Sequence, residues 1–346
     1  MKRRRATPNV DRLLAIAFVF MVTVALAGLV SQETAASFTG SSSNPSNTLR
    51  TLDVQPPASQ NNPTSSAAGV VNLSWTATPT APGAGHTLTY IVMRGAVGGP
   101  YSTVGSTSSL SYGDTPSSDG TYEYVIQTQV TGGGIFTSGN STAKSGLSDR
   151  TAPTKSITCN GGSCAGWFNA IVTVTVSGTD GGAGMGSVTR NVDGAGQTST
   201  AGASATFNVS GESASHSVVY FTTDAAGNAS ASATQTVKID LTAPTAPGGI
   251  TASTGSSSGQ INVSGTTAGT DALSGVAGYR VYYVLATICP AAPYGASQYF
   301  AGNPPAVPLV LTGLTSGQKY CMYLHTVDNA GNESADSNIG GPTKAK

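Results

Sequence analysis

Residues 149–154 read DRTAPT and residues 240–245 read DLTAPT, so one short phrase returns after 91 positions (240 − 149 = 91). A second phrase, DAAGNAS at 224–230, returns as DNAGNES at 328–334, after 104 positions (328 − 224 = 104). A repeat of about 100 residues has the length of a small β-sandwich and is too long for a helical solenoid unit. The two phrases therefore predict successive β-sandwiches joined by short connectors that contain proline.

The composition also favours an all-β fold. Only 9% of the residues are charged, and the chain contains 44 glycines. Runs of Val, Thr and Tyr lie between Gly, Asn and Ser, which is typical of many short strands with turns. A length of 346 residues allows two or three domains.

The N-terminal sequence has the pattern expected of an export signal. Five basic side chains within residues 2–12 precede residues 13–30, which are 18 residues without a charge. Positive charge before an apolar segment directs the following chain outward. We therefore predict that residues 1–30 are a signal peptide or an uncleaved signal anchor, which would hold the protein in the membrane through residues 13–30. The remainder is expected to be extracellular or at the cell surface.

The net charge of zero conceals an asymmetry. Without residues 1–30 the chain has 11 basic and 15 acidic side chains, a net charge of −4 (11 − 15 = −4). Nucleic-acid binding usually requires a basic face, so we predict no nucleic-acid partner.

Residues 31–53 form a leader rich in serine and asparagine, which we predict to be flexible. Within it, residues 36–49 (ASFTGSSSNPSNTL) resemble the segment that follows the signal in bacterial TasA/camelysin-type exported proteins. This resemblance implies a bacterial surface protein, and some members of that family assemble into fibres.

The first predicted module covers residues 54–148. Apolar residues alternate with polar ones at 71–75, 88–92 and 122–130, as expected for half-buried strands. Trp75 in an early strand and Tyr122 at the start of a late one resemble fibronectin type III domains. The resemblance implies that Trp75 packs in the core and that the Tyr122 hydroxyl bonds to upstream backbone.

The second predicted module covers residues 151–241. We expect its inward-facing residues to include Val219 and Phe221, besides alternating residues in the runs 172–176, 207–209 and 237–239. The sequence GWF at 166–168 and the DAAGN turn resemble bacterial Ig-like repeats, which implies the same sandwich architecture.

The third predicted module covers residues 242–346. Leu314 precedes a strand-opening tyrosine, Tyr320, by six residues (320 − 314 = 6), which resembles fibronectin type III domains. Residues 286–308 form a proline-rich insert, and we expect a loop longer than the usual hairpin turns of sandwiches.

The four cysteines predict disulfides, because an even count in an exported chain indicates pairing. Four cysteines allow three pairings, and we predict the two that stay within modules, Cys159 with Cys164 and Cys289 with Cys321. Zinc is disfavoured because no histidine lies near Cys159 or Cys164 in the sequence.

The Asp-x-Ala-Gly-Asn phrases suit tight turns, because Gly and Asn accept positive φ and Asp can bond to turn amides. Further aspartates occur upstream in the same modules, at 180–184 (DGGAG) and 271–275 (DALSG). Loops at strand ends can bring such carboxylates together, and Ca²⁺ prefers oxygen ligands of this kind. We interpret these aspartates as turn stabilisers and predict no metal and no cofactor, with calcium as the alternative.

Exposed aromatic side chains are the candidate ligand contacts. Two groups stand out, one before a strand of the second module and one in the insert: Trp167, Phe168, Tyr294, Tyr299 and Phe300. Packing inside the protein is the alternative role for each of them. A long insert is most easily explained by a role in binding.

No catalytic residues are predicted. His86, His216 and His325 fall in three different modules, and the sequence contains no nucleophile-elbow motif. We therefore predict a non-enzymatic protein of tandem Ig-like and fibronectin type III-like β-sandwiches that acts as an adhesion or interaction module or as a spacer. The partner would be a surface glycan or a protein. The alternatives are a carbohydrate-binding accessory protein and a fibre subunit in which residues 36–56 complete a neighbour's sheet.

Overall fold

The computed structural model describes residues 52–265, 267–302 and 308–346. The signal segment, and all of the leader except residues 52 and 53, lie outside the described residues. Among the residues described, no helix is long and apolar enough to cross a membrane. The described residues fall into two compact units, which are divided between Thr151 and Ala152.

The first unit contains one β-sandwich. Its elements are β1 Thr64–Ser66, a short 3-10 helix Ala67–Gly69, β2 Val70–Ser74, β3 Thr87–Gly95, β4 Tyr101–Thr107, β5 Ser111–Asp114, β6 Gly120–Thr131, β7 Ile135–Thr137 and β8 Lys144–Ser148. One sheet has the order β1-β2-β5, and the other has the order β4-β3-β6-β7 with β8 also on β6. All pairs are antiparallel.

Period-2 alternation builds the core between these two sheets. Trp75 is 3% exposed and its ring meets the edge of Tyr90 at 5.5 Å between centroids. The Tyr122 hydroxyl donates to the carbonyl oxygen of Ser118 at 3.0 Å, which ties the start of β6 to the preceding turn. The roles expected for Trp75 and Tyr122 are thus confirmed.

The second unit begins with a sandwich that we call the second sandwich. Its strands are β9 Thr154–Cys159, β10 Trp167–Phe168, β11 Val172–Thr179, β12 Met185–Val192, β13 Gln197–Ala201, β14 Ser204–Val209, β15 Ser213–Asp224 and β16 Ala233–Ile239. The sheet orders are β14-β11-β9 and β10-β16-β15-β12-β13. Its core is dominated by valines from both sheets.

The side chains of β15 that face the core are not the ones that were predicted. Val218 and Tyr220 face the core, whereas Val219 and Phe221 are only half-buried, so the expected inward placement of the latter pair is wrong. Residues 218–221 read VVYF, and four consecutive apolar residues give no alternation from which the phase can be read.

The third sandwich completes the second unit. Its strands are β17 Thr251–Thr254, β18 Ile261–Ser264, β19 Val276–Leu285, β20 Ala296–Ala301, β21 Leu309–Leu311, β22 Lys319–Asp328 and β23 Gly340–Lys344. The sheet orders are β17-β18-β21 and β20-β19-β22-β23. Tyr320, Met322 and Leu324 of β22 line its core, and the Tyr320 hydroxyl accepts the Thr315 amide at 3.0 Å.

The predicted insert is not entirely a loop. Residues 296–301 form strand β20, which pairs antiparallel with β19 and places Phe300 opposite Tyr279. Residues 286–295 do form a loop, which folds over the outer face of the sheet, where Tyr294 packs against Tyr323. A β-strand replaces part of the loop because Phe300 can pack on the core while its neighbours face outward.

Both predicted disulfides are present. Cys159–Cys164 closes a turn at the end of β9, and Cys289–Cys321 fastens the loop of residues 286–295 to β22. The two bonds span sequence separations of 5 and 32 residues, respectively. Disulfides persist in oxidising compartments, which agrees with a protein located outside the cytoplasm.

The two disulfides should differ in their contribution to stability. Replacing Cys289 and Cys321 with alanine should lower the free energy of unfolding by about 3–4 kcal/mol. The reason is that the unfolded chain gains more conformational entropy when a disulfide that closes 32 residues is removed than when one that closes 5 is removed. The matched control, alanine at Cys159 and Cys164, should cost about 2 kcal/mol. Denaturant unfolding followed by fluorescence measures both, and an equal or larger loss in the control would contradict the loop-length argument.

Candidate functional site

The connector between the second and third sandwiches is held by hydrogen bonds from both sides. On the side of the second sandwich, Glu212 accepts the amides of Leu241 and Thr242 at 3.2 and 3.0 Å. On the side of the third sandwich, Asn332 donates to the carbonyl oxygen of Asp240 at 2.9 Å. The connector is therefore an integral part of the second unit.

The Asp-x-Ala-Gly-Asn phrase forms the turn that follows β22. Asp328 accepts the amides of Ala330 and Asn332 at 2.9 and 2.8 Å, and its other oxygen accepts the Asn332 side chain. Gly331 adopts φ 92°, a conformation that glycine takes without strain. The expected turn-stabilising role of the aspartate is therefore present in this turn.

The same turn occurs in the second sandwich after β15. Asp224 accepts the Asn228 amide at 2.8 Å and the Asn228 side chain at 2.7 Å. Farther upstream, Asp180 accepts the amides of Gly182 and Gly184 at 3.0 and 2.8 Å. The sequence repeat is thus a repeat of hydrogen bonds as well.

Three carboxylates meet where the connector joins the third sandwich. Oxygen atoms of Asp240, Asp271 and Asp328 lie within 4.8 Å of one another. Asp240 is fully buried and Asp328 is 1% exposed. Among the described residues, no basic side chain forms an ion pair with any of the three.

Asp240 is held in its charged form. Burial favours the neutral acid, but hydrogen bonds from Ser274 and from the Thr242 amide outweigh it and hold the pKa of Asp240 below its usual value. Three carboxylate oxygens at this spacing are the kind of ligand set that a hard divalent cation accepts. Turn stabilisation accounts for the observed hydrogen bonds, and calcium stays the alternative stated from the sequence.

A second group of polar residues lies on the outer face of the third sandwich. We call Arg280, Tyr282, Tyr299, His325 and Glu333 the Tyr299 platform. Glu333 is its centre, because it accepts from Arg280 Nε, from the Tyr282 hydroxyl and from His325 Nδ1, each at 2.8 Å. The guanidinium carbon of Arg280 lies 5.6 Å from the centroid of the Tyr299 ring.

A row of aromatic rings extends the Tyr299 platform toward the disulfide-bonded loop of residues 286–295. Tyr282 stacks on Tyr323 with 5.1 Å between centroids, and the tilted ring of Tyr294 packs against Tyr323 with 4.9 Å between centroids. The disulfide-bonded loop thus closes one end of the row of rings. The other end is open, since Tyr299 is 45% exposed.

The platform fixes its charge state. Burial alone would raise the pKa of Glu333, but hydrogen bonds from His325, Tyr282 and Arg280 lower it. Burial, together with the Glu333 carboxylate, raises the pKa of Tyr282 to about 12. Near neutral pH the platform therefore presents an ionised carboxylate that is held rigidly between a guanidinium, a phenol and an imidazole.

The five aromatic residues predicted as ligand contacts are separated by the fold. Tyr294, in the loop of residues 286–295, is 5% exposed, and Phe168 and Phe300 pack against the cores of their sandwiches. Trp167 is half-buried, with the ammonium of Lys238 at 5.7 Å from its ring centroid. Tyr299 is the most exposed of the five, at 45%.

The sequence analysis missed the polar members of the Tyr299 platform. His325 lies on the opposite face of β22 from Met322 and Leu324, and its partners Glu333 and Asp336 follow the end of that strand. That segment has no apolar alternation to place it. The usable signal was the presence of two acidic residues close to a strand that carries an outward-facing histidine.

The histidines are bonded to oxygen acceptors. His86 lies near the carbonyl oxygens of Gly83 and Ala84, and His325 lies between Glu333 and Asp336. Among the residues described, no serine, threonine or cysteine side chain forms a hydrogen bond with any histidine ring.

No protein-family model and no curated protein matches the sequence. Among solved structures, the chain is similar to the FN1–FN3 domains of chicken CNTN1, with a TM-score of 0.36, 16% identity and coverage of 80% of this chain and 96% of that chain. Domains from titin give a TM-score of 0.38 and 12% identity, covering 83% and 97%. Fibronectin(III)-like modules of Clostridium thermocellum CbhA give 0.29 and 16%, covering 54% and 94%.

Asp328→Ala should destabilise the third sandwich by about 2–4 kcal/mol, because the partly buried amides of Ala330 and Asn332, and the Asn332 side chain, lose their acceptor. Asp328→Asn is the matched control: it keeps one oxygen acceptor and should lose clearly less. Denaturant unfolding of both variants measures the difference. A change within about 0.5 kcal/mol in the alanine variant, the usual range for surface substitutions, would contradict the structural role of this carboxylate.

Proposed function

We propose that this chain is a non-enzymatic extracellular or cell-surface protein that serves as a spacer and presents an interaction surface on its third sandwich. The observation that carries the spacer role is the connector at residues 240–245. Its backbone is bonded to Glu212 on one side and to Asn332 and Thr270 on the other.

The bonded connector resists bending for a simple reason. A flexible proline-containing linker would leave the amides of Leu241 and Thr242 to water, whereas here both donate to one carboxylate. Rotating one sandwich against the other would break these bonds, at roughly 1 kcal/mol for each. Such a junction fixes the orientation of the third sandwich relative to the second, as a spacer requires.

The other observations agree with a protein that works without chemistry on its ligand. The histidine nitrogens that face polar atoms have carbonyl or carboxylate partners, so these rings lack the nucleophile contact that acyl transfer requires. The two disulfides suit an oxidising environment.

The spacer role predicts that the connector is protected from proteolysis. Leu241 is 48% exposed, so its side chain is accessible while its backbone is bonded. The combined change Glu212→Ala and Asn332→Ala should raise the rate of thermolysin cleavage at Leu241 roughly tenfold or more, since it removes several hydrogen bonds of the connector. Mass spectrometry of timed digests of the full chain gives the rate.

Asn208→Ala is the matched control for this experiment, because Asn208 is an exposed polar residue of the second sandwich away from the connector. It should leave cleavage at Leu241 unchanged. Rapid cleavage at Leu241 in the unaltered protein would show a loose connector and would contradict the spacer role.

A second candidate function, carbohydrate recognition, is favoured by the Tyr299 platform. Sugar rings have apolar faces and polar rims, and an open aromatic face beside ionised side chains offers a contact for each. Arg280 lies against the Tyr299 ring and is itself bonded to the Glu333 carboxylate.

The carbohydrate role predicts a specific loss on a glycan array. Any glycan bound by the full chain should bind at least tenfold more weakly after Tyr299→Ala, because the stacking face is removed. Tyr101→Ala is the matched control, since Tyr101 is a partly exposed strand tyrosine of the first sandwich, with its hydroxyl bonded to Glu123. Absence of glycan binding, or equal loss in the two variants, would contradict this role.

A further inference from the structure

His216 lies on β15 at one end of the second sandwich, where both of its ring nitrogens face oxygen acceptors. Nδ1 is 2.7 Å from a carboxylate oxygen of Asp193, and Nε2 is 3.0 Å from the carbonyl oxygen of Gly211. A neutral imidazole has one N–H and can donate to only one of these oxygens, whereas the imidazolium donates to both. The geometry therefore fits the protonated ring.

The charged groups around His216 leave Asp193 as its ionic partner. Glu212, in the turn before β15, is engaged with the connector amides. Lys238 belongs to β16 but points to the other face, where its ammonium contacts Trp167. Arg190 on β12 lies over the Phe207 ring and bonds to Thr200.

The proton on His216 is favoured by these contacts. Burial alone would lower the pKa of His216, but the Gly211 carbonyl and the Asp193 carboxylate raise it above its ordinary value. The stabilisation is therefore fully present below the unfolded-state value of about 6.5 and is lost as the pH rises through the higher folded-state pKa.

A single residue, Glu212, links the hydrogen bond between His216 and Gly211 to the connector. Glu212 follows Gly211 directly, and its carboxylate accepts the amides of Leu241 and Thr242. His216 thus holds the turn from which Glu212 reaches the connector.

We propose that protonation of His216 controls how firmly the connector between the second and third sandwiches is held. The inference rests on the spacer role and adds a regulator to it: the connector is held tightly in mildly acidic surroundings and loosens in alkaline ones.

The step is a simple proton loss. When the proton leaves Nε2 for water, the remaining N–H stays on Nδ1, where the Asp193 carboxylate accepts it. A nitrogen lone pair then faces the Gly211 carbonyl oxygen at 3.0 Å, and the two acceptors repel each other. The turn at Gly211 then loses its hydrogen bond to His216. Because Glu212 belongs to this turn, its hydrogen bonds to the connector amides weaken as well.

Hydrogen exchange of the full chain between pH 6 and pH 8.5, corrected for intrinsic exchange rates, tests the proposal. The protection of the Leu241 and Thr242 amides should fall about fivefold more than that of β11 over this range, which corresponds to the loss of one hydrogen bond. In the His216→Gln variant, which has no titrating ring, this pH difference should disappear.

Two matched variants separate His216 from the other histidines. His86→Gln lies in the first unit, and His325→Gln removes the other ring that has an oxygen acceptor at each nitrogen. Both should keep the pH difference at Leu241 and Thr242. A second measurement covers the case in which His216→Gln fails to fold: NMR titration of the unaltered protein should place the His216 transition above the ordinary value of a histidine, about 6.5.

The outcomes distinguish the regulator from the spacer. Protection of Leu241 and Thr242 that is equal at pH 6 and pH 8.5 would overturn control by His216 and leave the spacer role intact. No protection of these amides at either pH would overturn the spacer role itself. A pH difference that persists in His216→Gln would assign the effect to another group and overturn the proposal.

Discussion

Buried carboxylates that must be satisfied by backbone amides are the constraint on which the second unit depends. Asp240 and Asp328 are almost completely removed from water, and an uncompensated charge in such a position is costly. Their oxygens are satisfied by amides of the turn, the connector and the 271–275 loop, so these segments have little freedom to move. Electrostatics therefore sets the connection between the sandwiches, whereas apolar packing sets each sandwich by itself.

Much of the fold could be derived from the sequence because the sandwiches obey a two-residue period. Trp75, Tyr122 and Tyr320 stand where an alternating strand and a corner tyrosine require them. Prediction failed where this signal was absent. In β15 the four apolar residues 218–221 have no phase, and in the insert the prolines and glycines that flank β20 are typical of a loop.

The Tyr299 platform could not have been derived in the same way. Its central residue, Glu333, contacts Arg280 across 53 positions and Tyr282 across 51, and neither separation follows from local periodicity. Such contacts depend on which strands become neighbours and on where the segment after β22 returns. The cysteines were easier to pair because each pair lies within one sandwich.

The bonding of the connector to both neighbouring sandwiches has a consequence for how such arrays can evolve. A gene duplication that copied only residues 242–346 would bring Asn332 and Asp271 but would leave behind the upstream acid, Glu212, that receives the connector. Asp119 in the first unit accepts the Arg150 amide and the Thr151 hydroxyl, much as Glu212 accepts its connector. If sandwiches of this type are recombined, the connector keeps its hydrogen bonds only when the preceding sandwich carries an acidic residue at the position of Glu212 or Asp119. Domain shuffling is therefore constrained by this one position.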